Sequence, residues 1–191
     1  MKRSIISIGT TSSKKLEYPK SDKKKYQFKG YYPIYPRLYK KEEAKIRKLF
    51  PKTTIEHVGS TSVPGLGGKG IIDIAIQTPK SKLKNYRSNL ETLGFEYSLE
   101  HPGNDKRIFL QKRIRYGGKE RLIHIHLTLD NDFWNSFIVF RDYLRNNNKE
   151  RDKYAKIKRE AVKHAKGEGK KYREYKAKFF DEWKKQVNNN K

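Results

Sequence analysis

Residues 55–76 read IEHVGSTSVPGLGGKGIIDIAI, two apolar runs around a loop of small residues, with one acid, Asp73, inside the second run. Ile55 to Val58 is an extended-type run ending in Gly59-Ser60-Thr61-Ser62, where a small residue lets backbone approach a ligand and hydroxyls can cap a short helical turn. Pro64 and glycines 65, 67, 68 and 70 exclude a long helix before Ile71–Ile76, which reads as a buried strand. A carboxylate in such a strand needs a proton, a cation or hydrogen-bond donors beside it, because desolvating it alone is costly. Backbone amides are the plainer partner for Asp73; a bound cation is the other.

Two common nucleotide loops are excluded by spacing. A Walker loop needs glycine five residues before the Gly-Lys pair and Ser or Thr after it, whereas Val63 and Gly70 stand at those places around Gly68-Lys69. No Gly-x-Gly-x-x-Gly lies between a strand and a helix, so a dinucleotide fingerprint is absent. Ser60 and Ser62 lack the Gly-x-Ser-x-Gly surroundings of an esterase nucleophile and read as phosphate contacts.

The string Glu56-His57-Val58-Gly59-Ser60-Thr61-Ser62-Val63-Pro64-Gly65-Leu66, with Lys69 and Ile71-Ile72-Asp73-Ile74, resembles the signature of the GrpB family of the nucleotidyltransferase-fold superfamily. The resemblance continues upstream in Tyr32-Pro33 to Tyr39 with Glu42 and Glu43. Downstream it takes in His124-Ile125-His126, Phe140 to Arg145, Tyr154 with Lys158, and Tyr172 with Lys176. It spans about residues 31 to 183.

That resemblance implies an α/β (α+β) fold, a mixed sheet flanked by helices with a C-terminal helical segment. The Gly-Ser loop then lies where superfamily relatives hold a nucleotide's phosphates. Gly59, Ser60, Thr61 and Ser62 become ligand-binding residues, and Arg141 and Lys176 cationic grips from the helical half. Asp73 and Lys69 become the catalytic pair, with magnesium as cofactor and a nucleoside triphosphate as substrate. Relatives use two acids one residue apart and a third on a later strand to hold two metal ions. Here the second position is Ala75, and the later strand offers His124 and His126. Three outcomes are open: one magnesium ion held by Asp73 and the substrate's phosphates, a transition metal held by Asp73, His124 and His126, or binding without catalysis. Spacing of two puts both histidines on one strand face.

The chain has 191 residues with 46 Lys and Arg against 21 Asp and Glu, a net charge of +25. The excess is spread: nine against two in residues 1–30, 19 against 11 in 31–140, 18 against eight in 141–191. Such a field attracts polyanions, so a non-catalytic RNA-binding protein is the alternative function. With no cysteine, disulfide and thiolate chemistry are excluded. No apolar run approaches membrane-spanning length, and a cytoplasmic location is expected.

The expected organisation is a basic, flexible arm over residues 1–30 and one domain over 31–187. Tyr32 and Tyr35 read as core, leaving Tyr26 and Phe28 available to a ligand. Helices are expected over 36–50, 81–93, 135–146, 150–165 and 170–186, and strands over 95–99, 107–113 and 122–129. The stripe Tyr172, Tyr175, Phe179, Phe180 and Trp183 reads as core rather than a ligand box, and the tail 188–191 as frayed.

Overall fold

The computed structural model describes residues 26–97 and 106–189, so the arm over 1–25, the end of the expected strand 95–99 and the tail beyond 189 lie outside the described residues. The first helix, α1 (Tyr35–Leu49), starts with proline in its first turn, where the missing N–H costs nothing. The sheet comprises β1 (Ile55–Val58), β2 (Ile72–Gln77), β3 (Glu96–Tyr97), β4 (Arg107–Tyr116) and β5 (Lys119–Thr128), with α2 (Leu83–Thr92) between β2 and β3. Three helices follow: α3 (Asn131–Asn146), α4 (Asn148–Ala165) and α5 (Gly169–Asn189). No helix among the described residues is long and apolar enough to cross a membrane.

The strand order is β1-β2-β5-β4-β3, parallel only between β2 and β5. This is the mixed sheet flanked by helices that the sequence led us to expect. Period-two alternation divides it into two faces. Ile72, Ile74 and Ile76 of β2 and Ile123, Ile125 and Leu127 of β5 join Tyr35, Leu38, Ile46, Leu90 and Phe95 in the main core, under α1 and α2. Asp73 and Ala75, and opposite them His124 and His126, fall on the other face. There Ala75 and Val58 pack with Trp134 of α3.

Glu42 and Glu43 are buried on α1 and ion-paired, Glu42 with Lys45 (2.6 Å) and Lys112 of β4 (3.1 Å), Glu43 with Lys40 (2.7 Å) and Arg47 (2.9 Å). Glu42 thereby ties α1 to β4, while the pairs of Glu43 stay within α1.

Helix α3 begins earlier than residue 135 because the Asp130 carboxylate caps it, accepting from the N–H groups of Asp132 and Phe133 at 3.1 Å. Helices α4 and α5 turn at Lys166, whose φ of 47° is left-handed, and Gly167. The loop after β1 drops Val63 and Leu66 between Leu144, Tyr154 and Phe179, so the three C-terminal helices and the loop share one core. Of the aromatic stripe on α5, Tyr172, Phe179 and Trp183 are buried as expected.

Tyr35 is buried as expected, but Tyr32, 48% exposed, is not core; Phe28 is packed away from the cavity, whereas Tyr26 is packed and also lines it. Tyr26 is buried with Ala161, Ala165 and Tyr172, its ring 5.3 Å from that of Tyr172. Phe28 packs on the Val63–Leu66 cluster beneath the Arg159 guanidinium, 4.6 Å away. Lys29 pairs through its backbone with Gly68. Tyr26 and Phe28 thus pack onto the domain through their side chains and Lys29 through its backbone. Truncating Tyr26 to Ala should cost about 3 kcal/mol, typical of a buried aromatic, and lower the melting temperature by about 6–12 °C. An unchanged melting temperature would contradict this packing.

Candidate functional site

Backbone geometry first brings the loop to Asp73. Gly59 has φ +68°, and a Cβ there would collide with the Asp73 carboxylate, so only glycine lets the chain leave β1 across that side chain. A Cβ on Gly68 would stand 2.6 Å from both Lys158 Nζ and Ser60 Oγ. Lys158 is buried and donates to the Gly67 carbonyl at 2.9 Å.

Side chains then fix the loop. The single hydroxyl proton of Thr61 goes to the Ile71 carbonyl (2.9 Å), so its Oγ1 accepts from His57 Nε2–H at 3.0 Å. Ser62 Oγ donates to the Gly59 carbonyl at 2.6 Å. Arg145 of α3 forks onto the Ser62 carbonyl at 2.8 and 3.0 Å. Arg141 donates to Glu56 (2.7 Å), the His57 carbonyl (3.1 Å) and Asp142 (2.8 Å). Thr61 and Ser62 thus face into the loop instead of lining the cavity, and Arg141 borders the cavity with donors already engaged.

A cavity of about 890 Å³ opens between this face of the sheet and the C-terminal helices. Gly59, Ser60, Lys69, Asp73, His124, His126 and Lys176 all line it, so these sequence-predicted residues converge. Lys69 Nζ lies 4.6 and 5.4 Å from the ring centres of Tyr26 and Tyr172, and Lys176 Nζ 5.7 Å from that of Tyr172. Phe109, Phe133, Phe137 and Phe140 form an apolar wall, with Phe109 opposite His126 across the β4–β5 ladder. Sequence reading missed Phe109, although alternation from His126 across a hairpin reaches it. It also undervalued Lys158. The signal was its place on the buried stripe of α4, with Tyr154, Ala161 and Ala165.

At the floor, Asp73 Oδ1 lies 3.4 Å from His124 Nδ1 and 3.3 Å from His126 Nε2. Burial raises the Asp73 pKa, but hydrogen bonding to His124 and His126 outweighs it and holds the carboxyl well below its usual range. Burial pushes His124 down to about 4 against the pull of Asp73, leaving a neutral imidazole beside a carboxylate at neutral pH. Burial, then repulsion from Lys176, also holds the Lys158 amine well below its ordinary value, and burial raises the Tyr172 phenol to about 12.

The magnesium pair implied by the superfamily does not fit these residues. Ala75 has no donor, and among the described residues the group able to hold an ion is one carboxylate with two imidazoles. Two magnesium ions need several hard oxygens.

His57 is buried and stacked on Tyr39, with ring centres 4.6 Å apart. Burial pushes its pKa from 6.5 down to about 4, so the unfolded chain binds its proton first as the pH falls. Its contribution to stability should be complete above pH 6.5 and fall by about 3 kcal/mol by pH 4. Urea unfolding at pH 7, 6, 5 and 4.5 checks this: His57→Gln should flatten the pH slope by about one proton relative to wild type, and equal slopes would contradict it.

A family model described as GrpB protein matches residues 26–186. A UPF0157 protein of Halalkalibacterium halodurans is 32% identical over 162 residues, 83% of this chain and 80% of that one. Another, from Pseudomonas aeruginosa, is 36% identical over 129 residues, 66% of this chain but only 52% of the relative. The crystal structure of conserved protein GrpB from Enterococcus faecalis superposes with a TM-score of 0.63 at 22% identity, covering 82% of this chain and 99% of that one, a likeness of fold. The glycine-rich loop, the Asp73 strand, α3, α4 and all but the end of α5 lie within the matched span, and the chain belongs to the GrpB family.

Proposed function

We propose that the protein binds a nucleoside triphosphate in the cavity above Asp73 and passes its nucleotidyl group to an acceptor. One observation carries this reading: Lys69 and Lys176 line the same cavity as the phenylalanines of β4 and α3, and their Nζ atoms both stand over the Tyr172 ring, at 5.4 and 5.7 Å. Cations suit phosphates and flat apolar rings suit a base. The volume, about 890 Å³, lies within the range of ligand pockets. In nucleotidyl transfer the acceptor oxygen bonds to the α-phosphorus as its bond to the bridging oxygen breaks, and pyrophosphate leaves. Such chemistry asks the protein chiefly for positioning and charge neutralisation, which lysines supply.

Calorimetry of the full chain with ATP, GTP, CTP and UTP, and with the matching nucleosides, tests the reading. At least one triphosphate should bind, its nucleoside at least about tenfold more weakly, and Lys69→Ala and Lys176→Ala should each cost about tenfold, the worth of one charged contact. No triphosphate binding, or equal binding of nucleosides, would contradict it.

The charge outside the cavity favours a second reading, a non-catalytic RNA-binding protein. Lys153, Lys156, Arg159 and Lys163 of α4 and Lys178 and Lys185 of α5 are exposed. That reading requires RNA affinity that falls steeply with salt, and a flat salt response would remove it.

A further inference from the structure

The parallel ladder sets Asp73 beside His124 and Ala75 beside His126, so one carboxylate and two imidazoles share a sheet face. The three donor atoms lie within 4.8 Å of one another. His126 Nε2 makes a long hydrogen bond of 3.3 Å to Asp73 Oδ1, and His124 Nδ1 stands 3.4 Å from the same oxygen, both beyond the ~2.9 Å at which hydrogen bonds cluster. They do match the spacing of neighbouring ligands on one ion. Donors at roughly 2.1 Å from a metal stand about 3.0 Å apart in octahedral order and about 3.4 Å apart in tetrahedral order.

The group is closed on one side and open on the other. His124 is buried and its Nε2 has no hydrogen-bond partner, so its polar contact with the group runs through Nδ1. Asp73 and His126 keep 21% and 20% of their side chains exposed and line the cavity. Three protein donors with an open side are the arrangement of a site that leaves positions for water or a ligand. Two imidazoles and one carboxylate favour a borderline transition metal over magnesium, which prefers oxygen. Lys69 adds positive charge nearby, so an anion in the cavity should strengthen the ion's hold.

We propose that Asp73, His124 and His126 bind one first-row transition-metal ion of the zinc, cobalt or iron(II) class, through Asp73 Oδ1, His124 Nδ1 and His126 Nε2. The site stands on this geometry and does not require the nucleotide reading.

The test titrates the metal-stripped full chain, without nucleotide, with cobalt(II) and then zinc, following cobalt's visible absorption and a competing chelating dye. One equivalent of cobalt should bind, zinc should displace it, and millimolar magnesium should not. His124→Ala, His126→Ala and Asp73→Asn should each weaken binding at least about tenfold. His164→Gln, which removes an exposed imidazole of α4 outside the cavity, should leave it unchanged. Should a variant fail to fold, imidazole nitrogen shifts of the wild-type chain replace it: zinc must move His124 and His126 and leave His57 in place. No stoichiometric binding by the wild-type chain, magnesium competing as well as zinc, undiminished binding in folded variants, or shifts confined to other histidines would overturn the proposal.

Discussion

Asp73 is a carboxylate in a strand whose neighbours on either side, Ile72 and Ile74, are fully buried. Its burial is affordable only because the parallel pairing of β2 with β5 brings His124 and His126 beside it. Much of the rest follows from that juxtaposition. The chain must leave β1 past the same carboxylate, which confines position 59 to glycine. The loop that follows must then be held over the site. Arg145 holds it from α3, Lys158 from α4, and Thr61 and His57 hold it internally.

The two halves of the molecule therefore do different work. On one sheet face, α1 and α2 close an apolar core. On the other, α3, α4 and α5 stand off far enough to leave a cavity lined by both cations and phenylalanines. The aromatic stripe of α5 serves both purposes. Phe179 and Trp183 are buried in packing, while Tyr172 and Phe180 also line the cavity. Arg141 shows how a cation near a site can be structural: its guanidinium is spent on Glu56, Asp142 and a backbone carbonyl, which fixes β1 to α3.

Local chemistry made much of this readable in the sequence. The β1–loop–β2 unit was legible because glycine, proline and hydroxyl residues punctuate it so strongly, and the shared face of His124 and His126 because strand spacing is two. What the strand spacing could not give was the register between β2 and β5, and so the approach of Asp73 to both histidines. Hydroxyl roles were misjudged for a related reason: Thr61 and Ser62 have the composition of phosphate contacts, but tertiary packing turned them onto backbone carbonyls. Tyr26 and Phe28 sit in a lysine-rich stretch that reads as an arm, and their burial depends on α4 and α5, more than a hundred residues away.

The central claim is that this floor of one carboxylate and two imidazoles holds a metal ion beneath a phosphate-binding cavity. Anomalous diffraction at the zinc edge, from crystals grown with zinc and a triphosphate, tests it most directly. The expected map has one peak bonded to Asp73 Oδ1, His124 Nδ1 and His126 Nε2, with phosphate density between that peak and Lys69 and Lys176. A map with no anomalous peak at these three side chains, or with phosphate bound elsewhere, would contradict it.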